Sequence, residues 1–322
     1  MLTIRVQDYG GPEVLLPADA SAPEPGAGEV RVDLAATGVN FIEIYQREGR
    51  YQVPLPMVPG TEGAGTVSAV GDGVDTVQVG DRVASVDLRG AYAEQALVPA
   101  DRVVTVPDGV DTDTAAAALL QGLTAHYLLL DTYPVRAGET VLVHAAAGGM
   151  GLLLTQLATK LGVRVIGTVS TAEKEQLARE AGAAEVIRYT ERDVVEEVRR
   201  LTDGEGVAAV YDGVGRDTFD GSLASLRRRG MLVLYGASSG AVPPFDPLRL
   251  QGAGSAFLTR PTLVHHVVGR DELTRRARDL FGWLADGSLS IRVHERYPLA
   301  DARRAHEDLA SRRTTGKLLL VA

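Results

Sequence analysis

A glycine-rich turn near the middle of the chain is the first feature whose residues could bind a ligand. Gly148, Gly149 and Gly151 stand between an apolar run, residues 140–144, and the helical pattern LLLTQLATKLG. At a strand-to-helix turn, glycines let a ligand approach the backbone, and the helix amides attract a pyrophosphate. The motif alone is weak, because Ala146 replaces the first glycine of G-x-G-x-x-G and a tight turn without a ligand is the alternative. The strand before it, the helix and the next strand favour a dinucleotide site.

The end of the next strand predicts which dinucleotide binds. Enzymes that use NAD place an acidic side chain there, on the ribose 2′-hydroxyl. Here the strand ends at Ser170, and the first acid, Glu173, fits a helix-capping box that begins at Ser170. Lys174 could pair with a 2′-phosphate, with Arg188 and Tyr189 close by at the end of the third strand. NADPH is therefore favoured over NADH, against the alternative that Lys174 is an ordinary solvated lysine.

Two kinds of pattern divide the chain and indicate the elements that hold these residues. Up to about residue 107, short β-rich runs such as EVRVDLAATGV and GAGTVSAVG alternate with Gly, Pro and Asp turns, which indicates a barrel-like β domain. After residue 115, strands and helices alternate, as in a parallel sheet with crossover helices. Six near-continuous apolar runs predict a doubly wound sheet with strands buried on both faces: TVLVHA, VRVIGTV, AEVIRY, VAAVYD, MLVLYG and SAFL.

Beyond about residue 261 the pattern no longer extends this sheet. It predicts a helix containing LTRRARDLFGWLADG, a strand IRVHERYPL, a helix over residues 301–309 and a final strand KLLLVA. We place this segment on the amino-terminal β domain, which is therefore discontinuous. The predicted domains are residues 1–122 with 263–322 and residues 123–262, with a cleft between them.

Composition excludes several classes of function. The 322 residues carry a formal net charge of -9, whereas nucleic-acid binding draws on clustered cationic charge. The one basic run, residues 227–229, is expected to be a solvated helix end. The amino terminus reads as an alternating strand, and the apolar stretch 115–130 is interrupted by Gln121 and His126. We expect a cytoplasmic protein with no nucleic-acid or membrane partner, in which residues 115–130 form a buried helix.

Nine motifs, in order along the chain, resemble those of the zinc-independent quinone oxidoreductases, the ζ-crystallin-like branch of the medium-chain dehydrogenases/reductases. They are GVNFIEIYQREGRY, VPGTEGAGTV, VGDRV, QGLTAHYLL, VLVHAAAGGMG, VYDGVG, YGASSG, FLTRP and TTGKLLL. The resemblance spans nearly the whole chain. It implies an α/β Rossmann domain joined to a GroES-like β-barrel catalytic domain. It also implies a homodimer formed through the Rossmann domains, with a tetramer as the alternative.

The resemblance also implies site residues. Asn40, Tyr45 and Tyr51 would line the nicotinamide and quinone site, with core packing as the alternative for each tyrosine. The implied cofactor residues are Asn40, Thr124, Ala146, Gly148, Gly149, Met150, Gly151, Ser170, Lys174, Tyr189, Gly213, Val214, Gly236, Ser238 and Ser239. Arg188 departs from the family, in which asparagine is frequent at this position, and should leave NADPH binding intact.

The residue types also bear on the reaction. The chain has no cysteine and six scattered or adjacent histidines, so no tetrahedral zinc site can be assembled, and Asn40 and Thr61 stand where alcohol-dehydrogenase relatives place a zinc-binding Cys and His. Without that Lewis acid, the alkoxide of a simple ketone lacks a stabilising cation, whereas a quinone delocalises the incoming electron density. We therefore expect a quinone or another conjugated acceptor. Tyr51, then Tyr45, is the candidate proton donor beside solvent, and both hydride transfer and single-electron steps stay open.

Two other functions stay open at this point. A reductase of enones or 2-enoyl thioesters would use Tyr51 as its proton donor. It would also need a basic surface for a CoA or carrier phosphate, for which Arg47 and Arg50 are the nearby candidates. A non-enzymatic, crystallin-like protein would bind NADPH without turnover, so turnover of any conjugated acceptor separates it from both enzymes.

Overall fold

The computed structural model describes all 322 residues, Met1–Ala322. The strands are β1 Leu2–Arg5, β2 Leu16–Asp19, β3 Glu29–Val39, β4 Gly63–Val70, β5 Arg82–Ser85, β6 Gln95–Pro99, β7 Val104–Thr105, β8 Thr140–Val143, β9 Arg164–Val169, β10 Glu185–Arg188, β11 Val207–Asp212, β12 Leu226–Leu234, β13 Phe257–Thr259, β14 Val293–Pro298 and β15 Lys317–Val321. The α-helices are α1 Phe41–Arg47, α2 Thr112–Tyr127, α3 Gly149–Lys160, α4 Ala172–Glu180, α5 Val194–Leu201, α6 Phe219–Ala224, α7 Leu248–Gly252, α8 Arg270–Ala285 and α9 Ala302–Ala310. A π-helix, Leu128–Thr132, continues α2 directly.

A six-stranded parallel sheet carries the glycine-rich turn. Its strand order is β10-β9-β8-β11-β12-β13, and every neighbouring pair runs parallel. The order reverses beside β8, because the chain passes from β10 at one edge to β11 on the other side of β8. In such sheets ligands bind outside the carboxyl ends of the strands, at this reversal. The predicted doubly wound sheet of six strands is confirmed.

The central strands of this sheet are mostly apolar, as expected for strands that crossover helices cover. All six residues of β11, VAAVYD, are buried. Leu142, Ile166 and Val210 on three strands share one core cluster with Val198 of α5 and Phe219 of α6. Burying such side chains contributes about 1.5–3 kcal/mol each. The unit Thr124–His266, which contains this sheet, therefore has a hydrophobic core of its own.

A second unit is formed by Met1–Leu123 with Val267–Ala322. Its main sheet has the strand order β14-β15-β3-β4-β5-β7, with β6 also paired to β3. The last strand, β15, runs antiparallel to β3 with Leu318 opposite Val39, so the carboxy-terminal segment completes the amino-terminal sheet. Alternating burial along β3 follows the alternation of side chains across a strand. Valines from three strands fill the core of this sheet: Val30, Val32, Val67 and Val83.

The prediction of a helix end at residues 227–229 is wrong. These arginines lie in β12, at a point where its pairing with β11 is irregular. Arg229 has a left-handed φ of 56°, as expected where a bulge lets extra residues enter a strand. Arg227 donates to the Glu139 carboxylate at 2.6 Å. The cations therefore mark an irregular strand entry and do not complement a helix dipole.

The apolar stretch 115–130 forms most of α2 and part of the π-helix after it, as predicted. The first five side chains of the stretch are fully buried: Ala115, Ala116, Ala117, Ala118 and Leu119. No helix of the chain has both the length and the apolar character that crossing a bilayer requires.

Candidate functional site

Backbone contacts fix the glycine-rich turn between β8 and α3. Ala145 has a left-handed φ of 51°, and its carbonyl accepts the Gly148 N–H at 2.9 Å. The Ala146 N–H donates to the Thr168 carbonyl on β9 at 3.0 Å. Ala146 fits at the first motif position because it faces Gly167, where a Cβ would lie 2.8 Å from the Ala146 Cβ. The turn therefore keeps a tight form with alanine in place of the first motif glycine.

The first turn of α3 fits a pyrophosphate. The helix begins at Gly149, after the N-cap Gly148. The N–H groups of Gly149, Met150 and Gly151 therefore lack acceptors within the helix, and the aligned peptide dipoles add a partial positive charge there. A Cβ on Gly151 would collide with the Ala145 carbonyl oxygen, so this glycine lets the helix pack against the turn. An anion placed here meets several convergent amides.

Two loops at the carboxyl ends of β11 and β12 hold five further predicted cofactor residues: Gly213, Val214, Gly236, Ser238 and Ser239. The Ser238 N–H donates to the Gly213 carbonyl at 3.1 Å, and the Ser239 N–H donates to the Val214 carbonyl at 2.8 Å. A Cβ on Gly236 would lie 2.5 Å from the Gly213 oxygen, so the close approach of the loops requires glycine. The Ser239 hydroxyl donates to the Val214 carbonyl and accepts a backbone N–H, so it serves the loops themselves.

A buried polar network beside these loops was not predicted from the sequence. His144 follows β8, and its ring nitrogens lie 2.9 Å from Thr168 Oγ1 and 2.9 Å from Ser222 Oγ. Ser222 Oγ donates to Asp212 Oδ2 at 2.7 Å, so it must accept from His144 Nε2, and Nδ1 accepts from Thr168. Burial lowers the pKa of His144, with the Asp212 charge acting in the opposite direction. The histidine is therefore a neutral bridge between the ends of β8 and β9 and the helix α6.

Asp212 organises the loop that follows β11. Its carboxylate accepts the Val214 N–H at 2.8 Å and the Gly215 N–H at 3.0 Å. It also accepts the Thr218 hydroxyl at 2.8 Å and the Ser222 hydroxyl at 2.7 Å. Asp212 is fully buried. The shape of a predicted cofactor loop therefore depends on the carboxylate of Asp212, the aspartate of the VYDGVG motif.

The residues predicted for the adenosine end lie at the carboxyl ends of β9 and β10. The predicted capping box beginning at Ser170 is wrong, because α4 starts one residue later. Thr171 is its N-cap and accepts the Lys174 N–H at 3.3 Å. Glu173 still has a local role, since its own backbone N–H and then the Thr171 hydroxyl lower the pKa of its carboxyl. The Tyr189 ring is exposed beside this turn.

The two predicted cations differ in their surroundings. Arg188 Nε lies 3.1 Å from Glu175 Oε2, and its Nη1 lies 2.6 Å from Glu191 Oε1. Two carboxylates therefore neutralise Arg188. Partial burial lowers the pKa of Lys174, which lies in the first turn of α4 beyond the carboxyl end of β9. Lys174 is the stronger candidate for a 2′-phosphate.

In the β unit, α1 and the turn after it carry the two candidate tyrosines. The ring centroids of Tyr45 and Tyr51 lie 5.5 Å apart at 69°, an edge-to-face pair. The Tyr51 N–H donates to the Tyr45 carbonyl at 3.2 Å, which ties the turn to the helix. The Arg50 guanidinium lies 5.5 Å from the Tyr45 ring centroid. Tyr45 is buried whereas Tyr51 is 45% exposed, so Tyr51 is the more accessible proton donor.

A charged cluster buried in the same unit was also not predicted. Lys317 Nζ donates to Glu62 Oε2 at 2.6 Å and to Asn40 Oδ1 at 2.5 Å. Asn40 Nδ2 donates to the same Glu62 oxygen at 2.9 Å. The other oxygen, Glu62 Oε1, accepts the Leu120 N–H of α2 at 2.6 Å. We call Asn40, Glu62 and Lys317 the buried triad; only 5% of Asn40 is exposed.

Asn40 is also the N-cap of α1. Its N–H donates to Glu43 Oε2 at 2.7 Å, the return half of a capping box. Burial raises the pKa of Glu43 to about 8, with the Lys317 charge acting in the opposite direction. Glu43 is therefore mostly protonated at neutral pH and adds little negative charge beside the triad.

Three remaining predictions concern Thr124, Arg47 and metal binding. Thr124 is half-buried on α2 and is the first residue of the unit Thr124–His266. The suggestion that Arg47 forms part of a basic surface is wrong: Arg47 is 2% exposed and donates to Glu48 at 3.1 Å. No three His, Cys, Asp or Glu side chains are grouped as metal ligands.

Comparisons with known proteins cover both units. A family model described as zinc-binding dehydrogenase matches residues 149–283, and one described as alcohol dehydrogenase GroES-like domain matches residues 26–108. A quinone oxidoreductase of Pseudomonas aeruginosa is 47% identical over 99% of this chain and 98% of its own length. A mycobacterial structure solved with NADPH is 53% identical, with a TM-score of 0.98 and all of both chains covered. The Escherichia coli quinone oxidoreductase structure with NADPH is 44% identical, with a TM-score of 0.98 and the same coverage.

Proposed function

The chain belongs to the zinc-independent quinone oxidoreductase family of the medium-chain dehydrogenases/reductases, and from this premise we propose that it is an NADPH-dependent quinone reductase. One observation carries the proposal. The amide-lined first turn of α3 and Lys174 in α4 follow adjacent parallel strands, β8 and β9. The first feature fits a pyrophosphate and the second fits a 2′-phosphate, which NADPH has and NADH lacks.

The chain's own residues would divide the work of binding NADPH. The amides of Gly149, Met150 and Gly151 hold the pyrophosphate, and Lys174 pairs with the 2′-phosphate. The other proposed contacts are Asn40, Thr124, Ala146, Gly148, Ser170, Tyr189, Gly213, Val214, Gly236, Ser238 and Ser239. Bound NADPH supplies a hydride equivalent to the acceptor.

A conjugated acceptor suits the residues of the β unit. Asn40 and Thr61 are weak zinc ligands at the positions where related alcohol dehydrogenases bind the metal. A quinone delocalises incoming electron density over its ring, so it needs little help from a fixed cation. Tyr51 holds a proton that the reduced oxygen can take, and the Tyr45 ring keeps Tyr51 in place through their edge-to-face contact.

Replacing Tyr51 with phenylalanine tests this role. We expect kcat with 1,4-benzoquinone to fall by about tenfold, less than the roughly hundredfold or more typical of a general acid, because water can also protonate a delocalised oxyanion. Tyr45→Phe is the matched control and should change kcat less than threefold, since the ring contact survives. A kcat that falls in Tyr45→Phe and not in Tyr51→Phe would exchange the two roles.

We also propose that the protein acts in the cytoplasm, where NADPH is regenerated, as a homodimer formed through the Thr124–His266 unit. Strand β13 is an edge strand, and edge strands can pair with another chain. Phe257 on β13 and Val264 after it are both more than half exposed. Light scattering should give twice the chain mass of 34.1 kDa, and Phe257→Arg should shift it toward the single mass. A wild type that scatters as a monomer would contradict the dimer.

A further inference from the structure

Two of the three residues of the buried triad are of polar types that are rare in the chain. Asn40 is the only asparagine among 322 residues, and Lys317 is one of three lysines. Aspartate and arginine are common elsewhere in the same chain. A carboxylate or a guanidinium would differ in charge or in shape from the groups found here. The triad therefore contains a neutral amide and a compact ammonium, although the rest of the chain mostly uses aspartate and arginine.

Hydrogen-bond chemistry fixes the orientation of the Asn40 amide. An ammonium only donates, so the Asn40 atom facing Lys317 is Oδ1; an ionised carboxylate only accepts, so the atom facing Glu62 is Nδ2. Nδ2 places its two N–H groups on Glu62 Oε2 at 2.9 Å and on the Gly38 carbonyl at 3.3 Å. Oδ1 accepts from Lys317 with one lone pair. The only capacity left on the amide is the second lone pair of Oδ1.

The partners of Asn40 are themselves held in place. Glu62 cannot turn away, because its other oxygen accepts the Leu120 N–H in the middle of α2. A Cβ on Gly38 would lie 2.7 Å from the Glu62 carboxyl carbon and 2.9 Å from Lys317 Cε, so the neighbouring strand leaves room for the triad only with glycine. Both charged side chains are almost fully buried. The Asn40 amide therefore has a single orientation, which is already fixed before a ligand binds.

We propose that Lys317 and Glu62 are positioning residues that hold Asn40 as a hydrogen-bond acceptor for a donor on the nicotinamide half of NADPH. The donor is the carboxamide N–H or a ribose hydroxyl. The inference rests on the proposed function in taking Asn40 to face bound NADPH. A quinone carries carbonyl oxygens, which only accept, so the Asn40 oxygen has no partner on the acceptor. Proton donation to the quinone therefore belongs to Tyr51 or water, and Asn40 positions the cofactor.

A double substitution, Lys317→Met with Glu62→Gln, is expected to reverse the orientation of the Asn40 side-chain amide without leaving a buried charge. Removing both charges of a buried pair together is tolerated far better than removing one. The carbonyl of the introduced glutamine would keep the Leu120 N–H, which turns the N–H groups of its side-chain amide toward position 40. Asn40 Oδ1 then accepts from that glutamine amide and gives up the Gly38 hydrogen bond, and the Asn40 N–H groups take the place that Oδ1 leaves. Lys160→Met, at an exposed lysine on α3, is the control for losing a lysine.

Calorimetric titration without an acceptor tests the proposal on the folded protein. The ligands are NADP+ and its 3-acetylpyridine analogue, in which a methyl group replaces the carboxamide NH2. If the carboxamide is the donor, the wild type and Lys160→Met bind NADP+ about tenfold more tightly than the analogue, the effect of one net hydrogen bond, and the double variant loses that difference. If a ribose hydroxyl is the donor, the double variant binds both ligands about tenfold more weakly. Equal affinities in the wild type and the double variant for both ligands would overturn the proposal.

A second measurement needs no variant. Because Asn40 is the only asparagine, selective ¹⁵N-asparagine labelling gives one side-chain NH2 signal. Both protons should exchange slowly with solvent in the cofactor-free protein, because Glu62 and Gly38 hold them; rapid exchange of both would contradict a fixed amide. Neither measurement uses a quinone. A wild type that binds NADP+ and reduces no quinone would defeat the proposed function and leave this inference standing.

Discussion

Asp212→Ala is expected to lower the free energy of unfolding by on the order of 4 kcal/mol. The buried carboxylate accepts two backbone N–H groups and two hydroxyls, and alanine removes the acceptor that these four donors share. Urea denaturation followed by circular dichroism measures the change. Asp217→Ala is the matched control, since the exposed Asp217 carboxylate forms a surface ion pair with Arg216, worth about 0–1 kcal/mol.

A loss below about 1 kcal/mol in Asp212→Ala would mean that the loop finds other acceptors, water among them. The four hydrogen bonds to Asp212 would then not be what stabilises the loop. The cofactor should also bind more weakly to the folded variant, because Gly213 and Val214 follow Asp212 directly in the chain.

Lys174→Ala is expected to lower kcat/KM for NADPH by about tenfold to a hundredfold, the effect of losing one charge-assisted contact of about 1.5–3 kcal/mol. The value for NADH should stay within about twofold, because NADH has no 2′-phosphate for the ammonium to meet. Initial rates with one quinone at a fixed concentration give both values.

Arg188→Ala is the matched control for Lys174. Its guanidinium is already paired with Glu175 and Glu191, so the ratio of NADPH to NADH efficiency should change by less than about threefold, as for a surface pair of small energy. An unchanged ratio in Lys174→Ala, or a larger effect in Arg188→Ala, would show that cofactor choice rests elsewhere.

Local pattern was sufficient to predict the nucleotide-binding half of the fold. Each of the six strands of the parallel sheet contains an apolar run, and a glycine cluster follows the first of them. These signals involve residues near each other in the chain, so periodicity and turn residues reveal them. The two local errors, at residues 227–229 and at Ser170, concern where an element starts. Polar residues near the end of a helix or strand do not by themselves determine its first residue.

The buried polar groups could not be predicted because their partners are distant in the sequence. Asn40 meets Lys317 across 277 residues, and His144 meets Ser222 across 78. Lys317 reads locally as the start of an apolar strand, and His144 reads as the end of one. One available signal was composition, since a lone asparagine beside a predicted site is unusual in a chain of this length. The contact between Asn40 and Lys317 becomes visible only once β15 is seen to pair with β3.

NADPH oxidation by the wild type with four acceptors under one set of conditions distinguishes a quinone reductase from an enoyl reductase. The acceptors are 1,4-benzoquinone, 9,10-phenanthrenequinone, a simple enone and crotonyl-CoA. We expect faster turnover of the quinones than of either other acceptor, because Arg47 is buried and Arg50 is already paired with Glu48 at 2.7 Å, which leaves a CoA phosphate no unpaired cation of these two. Faster turnover of crotonyl-CoA would contradict this expectation and make the protein an enoyl reductase with Tyr51 at its centre. Tight NADPH binding with no turnover of any acceptor would contradict an enzymatic role altogether.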